Sequence, residues 1–101
     1  METKMIEALY DQEKLVLKFP EHLDTETCAG LEKEIKEQLD GKNPKKIVFD
    51  LYRTKYVASA FLRICISMEK KSPNKFAIIN ASEQVKKIFN ISGLEKFLDI
   101  S

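Results

Sequence analysis

The chain has 101 residues, of which 44% are hydrophobic and 33% charged, which is enough apolar material for one compact domain that we expect to span residues 1–101. Seventeen Lys and Arg residues oppose sixteen Asp and Glu residues, and the net charge of +1 excludes a global field that would attract nucleic acid or an anionic membrane. A local charged patch is still compatible with these numbers. The N-terminus is charged and no apolar run approaches the roughly 18 residues of a membrane span, so we expect a cytoplasmic protein.

Segments 4–10 and 14–19 alternate between apolar and polar residues, which predicts two half-buried strands. The polar connection between them is short enough for an antiparallel hairpin, and Pro20 ends the second strand. The apolar residues of these strands are Ile6, Ala8 and Tyr10 in the first, and Leu15, Leu17 and Phe19 in the second.

A first helix is predicted after this hairpin. Asp24 or Thr25 can cap it, and its apolar residues recur at helical spacing as one narrow stripe. Gly41 and Pro44 end it, and a short buried strand follows at 46–51. The stripe consists of Cys28, Leu31, Ile35 and Leu39.

The central stretch 47–68 carries the most information. Asp50 marks the polar end of the buried strand, and Ser59 stands where a helical period begins, so we expect its hydroxyl to act as the N-cap of a second helix. The apolar residues of this helix cover an arc of roughly 240°, whereas a surface helix needs only about 100°. Either another element packs on its far side, or a patch made of Phe61, Ile64 and Met68 is exposed to a partner.

The C-terminal third continues the alternation of strand and helix. Segment 76–79 has the composition of a buried strand, and Ser82 can cap a third helix that Gly93 terminates. A last apolar segment at 94–100 forms either a helical turn or an edge strand. A hairpin followed by this alternation predicts an α/β domain with a small mixed sheet.

The residues give no support for an enzyme. His22, the only histidine, has no partner nucleophile or further ligands and is expected to be solvated, and Asp50 lacks the acidic pair that would hold Mg²⁺, so we expect it to stabilise a turn. Cys28 and Cys65 lie on the apolar sides of predicted helices and form neither a zinc site nor a disulfide framework. We therefore expect no metal and no cofactor.

Four segments carry a family resemblance: PEHLD at 20–24, IVFDL at 47–51, YVASAFLR at 56–63 and VKKIFNISGLEKFL at 85–98. Together they resemble the STAS domain family, and most closely its stand-alone anti-sigma factor antagonists. The similarity runs from about Ile6 to Ile100. It implies a small sheet with helices packed on one side.

The resemblance also implies a function. Such antagonists bind an anti-sigma factor that has a histidine-kinase-like ATPase fold and acts as a serine kinase, and so release its sigma factor. The partner phosphorylates a serine at the start of the second helix, which corresponds to Ser59. No nucleic acid or membrane partner is implied, and we expect a monomer or weak dimer. The partner-binding residues expected here are Asp24, Ala58, Ser59, Ala60, Phe61, Ile64 and Met68.

Two positions depart from the family pattern. Ala58 stands where the family often has Asp or Ser, and Phe61 stands where it often has Gly. A glycine permits close approach by a kinase backbone, whereas a benzyl group needs a complementary pocket or blocks that approach. The alternative function is therefore a constitutive interaction module of a larger assembly, such as a stressosome or a lipid-transport complex, with Phe61 as a fixed anchor and no phosphorylation.

Overall fold

The computed structural model describes residues 5–101, and within them the chain alternates strands and helices as expected. No helix in that range is long and apolar enough to cross a membrane. The elements are β1 (Glu7–Asp11), β2 (Lys14–Lys18), β3 (His22–Leu23), α1 (Thr25–Leu39), β4 (Lys46–Asp50), β5 (Tyr56–Val57), α2 (Ser59–Lys71), β6 (Phe76–Ile79), α3 (Glu83–Ile91) and a 3-10 helix (Leu94–Lys96).

The main sheet has four strands in the order β1-β2-β4-β6. β1 pairs antiparallel with β2, while β2, β4 and β6 are parallel to one another. The hairpin turn places Gln12 and Glu13 at φ values of 50° and 64°, the left-handed conformation that lets a two-residue turn follow the twist of its strands. The predicted mixed α/β sheet is confirmed.

The helices cover one face of this sheet. Side chains alternate across a strand, so every second residue points to the same face. On one face of the sheet, the strand residues belong to the hydrophobic core together with residues of all three helices. The strand residues on the opposite face do not belong to this core. The core-facing set is Leu15, Leu17, Ile47, Phe49, Phe76 and Ile78.

Four phenylalanines form the centre of the core. The ring centroids of Phe19 and Phe49 lie 4.7 Å apart, those of Phe19 and Phe61 lie 5.2 Å apart, and those of Phe49 and Phe76 lie 4.7 Å apart. All three pairs have the edge-to-face geometry that contributes about 0.5–1.5 kcal/mol beyond burial of area. The helix residue Phe61 thus packs α2 against Phe19, which follows β2, and against Phe49 of β4.

The expected exposed patch on α2 is wrong. Phe61, Ile64 and Met68 are 0%, 4% and 5% exposed. The wide apolar arc is covered because α2 packs on the sheet and also against α1. Of the two interpretations of that arc, the one in which another element packs on its far side is correct. Polar residues such as Arg63 and Ser67 face solvent.

The first strand also differs from expectation. All five residues of β1 are exposed, including the Ala8 and Tyr10 that were expected to be buried. β1 is the edge of the sheet, and only the preceding Ile6 enters the core. The expected start of the strand at Lys4 lies outside the described residues.

The C-terminus combines the two predicted alternatives. After α3, which Ser82 caps by accepting from the Val85 N–H at 3.1 Å, the chain turns at Gly93 with φ +74° and forms the 3-10 helix. Ile100 then makes an isolated parallel bridge with Ile78 at the edge of the sheet. The last residues therefore contribute both a helical turn and a short edge pairing.

The burial of Phe61 generates a stability prediction. Phe61→Ala should reduce the free energy of unfolding by about 3–5 kcal/mol, because it opens a cavity beside the rings of Phe19 and Phe49. Arg63→Ala, on the exposed face of the same helix, should change it by no more than about 0.5 kcal/mol. Urea unfolding of both variants checks this, and similar small changes in the two would contradict the placement of Phe61.

The two thiols generate a second prediction. Burial raises the pKa of Cys28, with a smaller contribution from Asp24, and burial raises the pKa of Cys65 well above its ordinary value. Because only the thiolate is a good nucleophile, both should resist iodoacetamide at about pH 8 in the folded protein and react after unfolding. Intact mass follows the modification. A Ser67→Cys variant is the control, since its new thiol is exposed and should be modified promptly; equally fast modification of Cys28 or Cys65 would contradict their burial.

Candidate functional site

A second, two-stranded sheet brings together the start of α1 and the start of α2. β3 and β5 pair in parallel, with His22 opposite Tyr56 and Leu23 opposite Val57. α1 follows β3 after one residue, Asp24, and α2 follows β5 after one residue, Ala58. The two helices therefore begin side by side. The sequence does not predict this pairing, because each of the two strands has only two residues.

Backbone and side-chain hydrogen bonds fix this junction. The Thr54 hydroxyl donates to the Pro20 carbonyl at 2.9 Å, and Thr54 is only 1% exposed. The Lys55 N–H donates to the Glu21 carbonyl at 2.7 Å, and the Ala58 N–H donates to the Leu23 carbonyl at 2.8 Å. The segment before α2 is thus held along its length against the segment before α1.

Ser59 is the first residue of α2 and is exposed, but it is not the N-cap as expected. Ala58 occupies the cap position, and its carbonyl already accepts from the Phe61 N–H at 2.9 Å. A methyl group cannot accept a hydrogen bond, so α2 has no side-chain cap. The Ser59 hydroxyl cannot act as the N-cap of α2, because Ser59 is already the first residue of the helix. Ala58 is held in the cap position by the hydrogen bond from its N–H to the Leu23 carbonyl.

The N-terminus of α2 leaves backbone N–H groups without a hydrogen-bond partner. The N–H groups of Ser59 and Ala60 lie in the first turn, where a helix offers them no carbonyl partner. The first turn of α2 also carries no acidic residue, unlike those of α1 and α3. The N-terminus of α2 therefore combines the positive end of a helix dipole with an exposed hydroxyl.

Asp24 caps the neighbouring helix. Its carboxylate accepts from the Thr27 N–H at 2.7 Å. This backbone hydrogen bond, followed by one from the Thr27 side chain, lowers the pKa of Asp24 below its ordinary value of 3.8. Asp24 follows Leu23 as Ala58 follows Val57, so the charged carboxylate lies at the strand next to the start of α2.

The structure therefore joins four of the seven expected partner-binding residues: Asp24, Ala58, Ser59 and Ala60, which we call the junction surface. Ala58 is largely buried and contributes mainly backbone, while Ala60 is half-buried. The other three, Phe61, Ile64 and Met68, are core residues and are not part of this surface.

Sequence reasoning missed His22 and Tyr56 as neighbours of this site. They are opposite each other in the β3–β5 pair and both are exposed. His22 is solvated as expected, and it belongs to the strand β3. The alternation of exposed Tyr56 and buried Val57 was a signal, but two residues are too few to identify a strand.

Of the cations near Ser59 in sequence, only one is placed to face it. Arg53 forms an ion pair with Glu7 at 3.0 Å, and Lys55 forms one with Glu21 at 3.5 Å. Arg63 is exposed, lies one helical turn after Ser59 and pairs with no acidic group of residues 5–101. Residues four apart share a helix face, so Arg63 is within reach of a charge on Ser59.

The remaining candidate groups have structural roles. Asp50 accepts hydrogen bonds from the Tyr52 N–H at 3.0 Å and the Asn80 side-chain amide at 3.1 Å, which confirms its expected place in a turn. Across residues 5–101, no group of three or more His, Cys, Asp and Glu side chains is arranged to hold a metal ion.

Comparison with known proteins places this geometry in a family. The model of the STAS domain matches residues 5–101. An anti-sigma factor antagonist from Mycobacterium paratuberculosis has a TM-score of 0.83 at 18% identity, over 94% of this chain and 82% of that one. An anti-sigma-factor antagonist (STAS) domain protein from Planctomyces limnophilus has a TM-score of 0.81 at 16% identity, over 95% and 87%.

A third solved structure is that of the Bacillus cell fate determinant SpoIIAA in its phosphorylated form. It has a TM-score of 0.69 at 15% identity, over 95% of this chain and 90% of that one. No curated protein matches the sequence. At these identities the solved structures establish a shared fold.

The cap of α1 generates a prediction with a defined pH dependence. The folded pKa of Asp24 is depressed, so the stability contributed by its charge is present above the ordinary value of 3.8 and is lost as the pH falls through the lower folded value. Asp24→Asn keeps a capping oxygen but does not titrate. The difference in melting temperature between wild type and Asp24→Asn should therefore shrink on acidification from about pH 7 to about pH 2.

Asp24→Ala is the matched variant for this test. It removes the acceptor altogether and should melt below both other proteins at neutral pH. A constant difference between wild type and Asp24→Asn across the pH range would show that the carboxylate charge does not act on the helix.

Proposed function

The chain belongs to the STAS domain family, and from that membership we propose that it is an anti-sigma factor antagonist, which binds an anti-sigma factor through the junction surface and so releases the sigma factor. Two of the similar structures are those of an anti-sigma factor antagonist and of an anti-sigma-factor antagonist (STAS) domain protein. Because these proteins are only 18% and 16% identical to this chain, they show a shared fold. The support for an anti-sigma factor as the partner comes from the chemistry of the junction surface.

The junction surface suits recognition because it is already ordered. Two helix starts and two short strands are held by the bonds to Pro20, Glu21 and Leu23. A surface fixed before binding loses little conformational entropy when a partner docks. It presents an anionic Asp24 beside a helix N-terminus that has no acidic residue of its own.

We further propose that the partner is a kinase-type anti-sigma factor with a histidine-kinase-like ATPase fold, and that it phosphorylates Ser59. The observation that carries this is the exposed Ser59 hydroxyl at an uncapped helix start. A phosphate there would add a charge of about −1.5 to −2 next to the unpartnered N–H groups of Ser59 and Ala60, with Arg63 one turn away. The fold would tolerate this charge, while the docking partner would meet it directly.

The position of Phe61 supports phosphorylation of Ser59, whereas the sequence alone indicated that its benzyl group would need a pocket on the kinase or block its approach. Its ring lies in the core against Phe19 and Phe49, so it leaves the approach to Ser59 free. The alternative, a constitutive module anchored by Phe61, would have to expose a residue that is 0% accessible. The switch is therefore the better of the two interpretations.

The switch is tested by two variants of one residue. Ser59→Asp should weaken binding to the kinase-type anti-sigma factor by at least about tenfold, because a misplaced charge at an interface costs more than 1.4 kcal/mol. Ser59→Ala should bind like wild type, accept no phosphate from that partner and ATP, and differ in stability by no more than about 0.5 kcal/mol, since its hydroxyl caps nothing. Calorimetry and intact mass provide the measurements.

Ser67→Asp is the matched control, since it places the same charge on the exposed face of α2 two turns away. It should bind like wild type and still accept phosphate. If Ser59→Asp binds as tightly as wild type and the wild-type protein takes no phosphate, Ser59 is not a switch.

A further inference from the structure

Three lysines stand in a row on the sheet face that the helices leave open. Lys14 and Lys46 are opposite each other as the first residues of β2 and β4. Lys75 precedes β6, whose Phe76 is opposite Ile47, so it lies next to Lys46. All three are exposed and point away from the core, because the residue that follows each of them is a core residue. We call Lys14, Lys46 and Lys75 the lysine row.

This row is unfavourable in the isolated protein. Adjacent strands are only about 4.8 Å apart, and like charges directly opposite each other destabilise a sheet. Asp11 is opposite Lys14 and offsets one end of the row. The ion pairs formed by residues 5–101 include none to these three lysines, although the neighbouring Lys45 does pair with Glu13 at 3.0 Å.

An apolar row runs beside the lysine row on the same face. It crosses four paired strands as Leu9, Val16, Val48 and Ala77. Leu9 is 56% exposed and Val16 is half-buried, whereas Val48 and Ala77 are nearly covered. The next row, Glu7, Lys18 and Asp50, carries charges of both signs. The open face thus changes from basic to apolar to mixed charge along its strands.

We propose that this open face is a docking site for an acidic amphipathic helix of a partner protein, which lies across the strands with its carboxylates on the lysine row and its apolar stripe on Leu9 and Val16. Acidic residues at positions i, i+3 or i+4, and i+7 of a helix span about 10.5 Å. The lysine row covers two strand spacings, or about 9.6 Å, so three carboxylates match three ammonium groups.

The width of the face favours a helix over a flat anionic surface. A helix is about 10 Å across, and alternate rows of a strand are about 6.8 Å apart, so it covers the lysine row and the apolar row only. A membrane would also meet the third row, where Glu7, Lys18 and Asp50 carry charges of both signs and add no net attraction for an anionic surface. With a net charge of +1, the rest of the protein adds no long-range attraction for a bilayer or a nucleic acid to that of the three lysines.

The lysine row lies far from the junction surface. Ser59 follows the carboxyl end of β4, and α2 then runs back for 13 residues, or about 20 Å, to the end where β6 and the lysine row begin. The proposed docking site is therefore independent of the phosphorylation proposed for Ser59.

The test uses a synthetic helical peptide of about 18 residues, long enough to form a helix, with Glu at the three matched positions and Leu beside them. A peptide of the same composition in scrambled order is the reference. At low salt, the ordered peptide should bind wild type at least about tenfold more tightly than the triple variant Lys14→Gln, Lys46→Gln, Lys75→Gln, measured by fluorescence anisotropy. The control variant Lys33→Gln, Lys87→Gln, Lys96→Gln loses the same charge from exposed positions elsewhere and should bind like wild type.

Leu9→Ser should also weaken binding of the ordered peptide, because it removes the exposed apolar contact. Equal losses in the lysine-row and control variants, or equal binding of the scrambled peptide, would show attraction by overall charge and overturn the proposal. So would binding of duplex DNA or of vesicles containing phosphatidylglycerol through the lysine row when the ordered peptide does not bind.

Discussion

The packing of Phe61 against Phe19 and Phe49 determines how α2 presents its surface. Successive helix residues are about 100° apart, so a residue two positions before a buried one points to nearly the opposite side. Because Phe61 is buried, Ser59 must face solvent. Phe61 therefore orients the serine, since a glycine at the same position would provide no ring to fix the rotation of the helix.

Rotation alone would not place Ser59 next to Asp24. The β3–β5 pair does this, since its two-residue strands set the starts of α1 and α2 in register. The pairing is short, but it is supported by the buried Thr54 hydroxyl and by the Ala58 N–H, both bonded to the segment before α1. Core packing thus orients the junction surface, and backbone hydrogen bonds position it.

The longer elements were predictable because periodicity and caps identify them. α1 with its Asp24 cap, α3 with its Ser82 cap and the buried strands β4 and β6 agree with the sequence. Strands of two residues contain no period, and so the β3–β5 pair was missed. The wide apolar arc of α2 showed that the sheet alone cannot cover this helix, and that a second element of the fold or a partner protein must cover the rest. Only the tertiary structure identifies α1 as that second element. Similarly, the alternation in β1 was correct as a strand signal but could not reveal that an edge strand has no helix above it.

The lysine row shows a different limit of composition and local pattern. In the sequence its members are 32 and 29 residues apart, and the nearly balanced charge of the chain hides them. Each stands immediately before the first core residue of its strand, Leu15, Ile47 or Phe76, and parallel pairing then aligns all three. The same alignment that buries one apolar residue per strand on the helix side therefore gathers one ammonium group per strand on the other side. A concentrated charge can thus arise in a protein that is nearly neutral, because strand register and not sequence proximity brings it together.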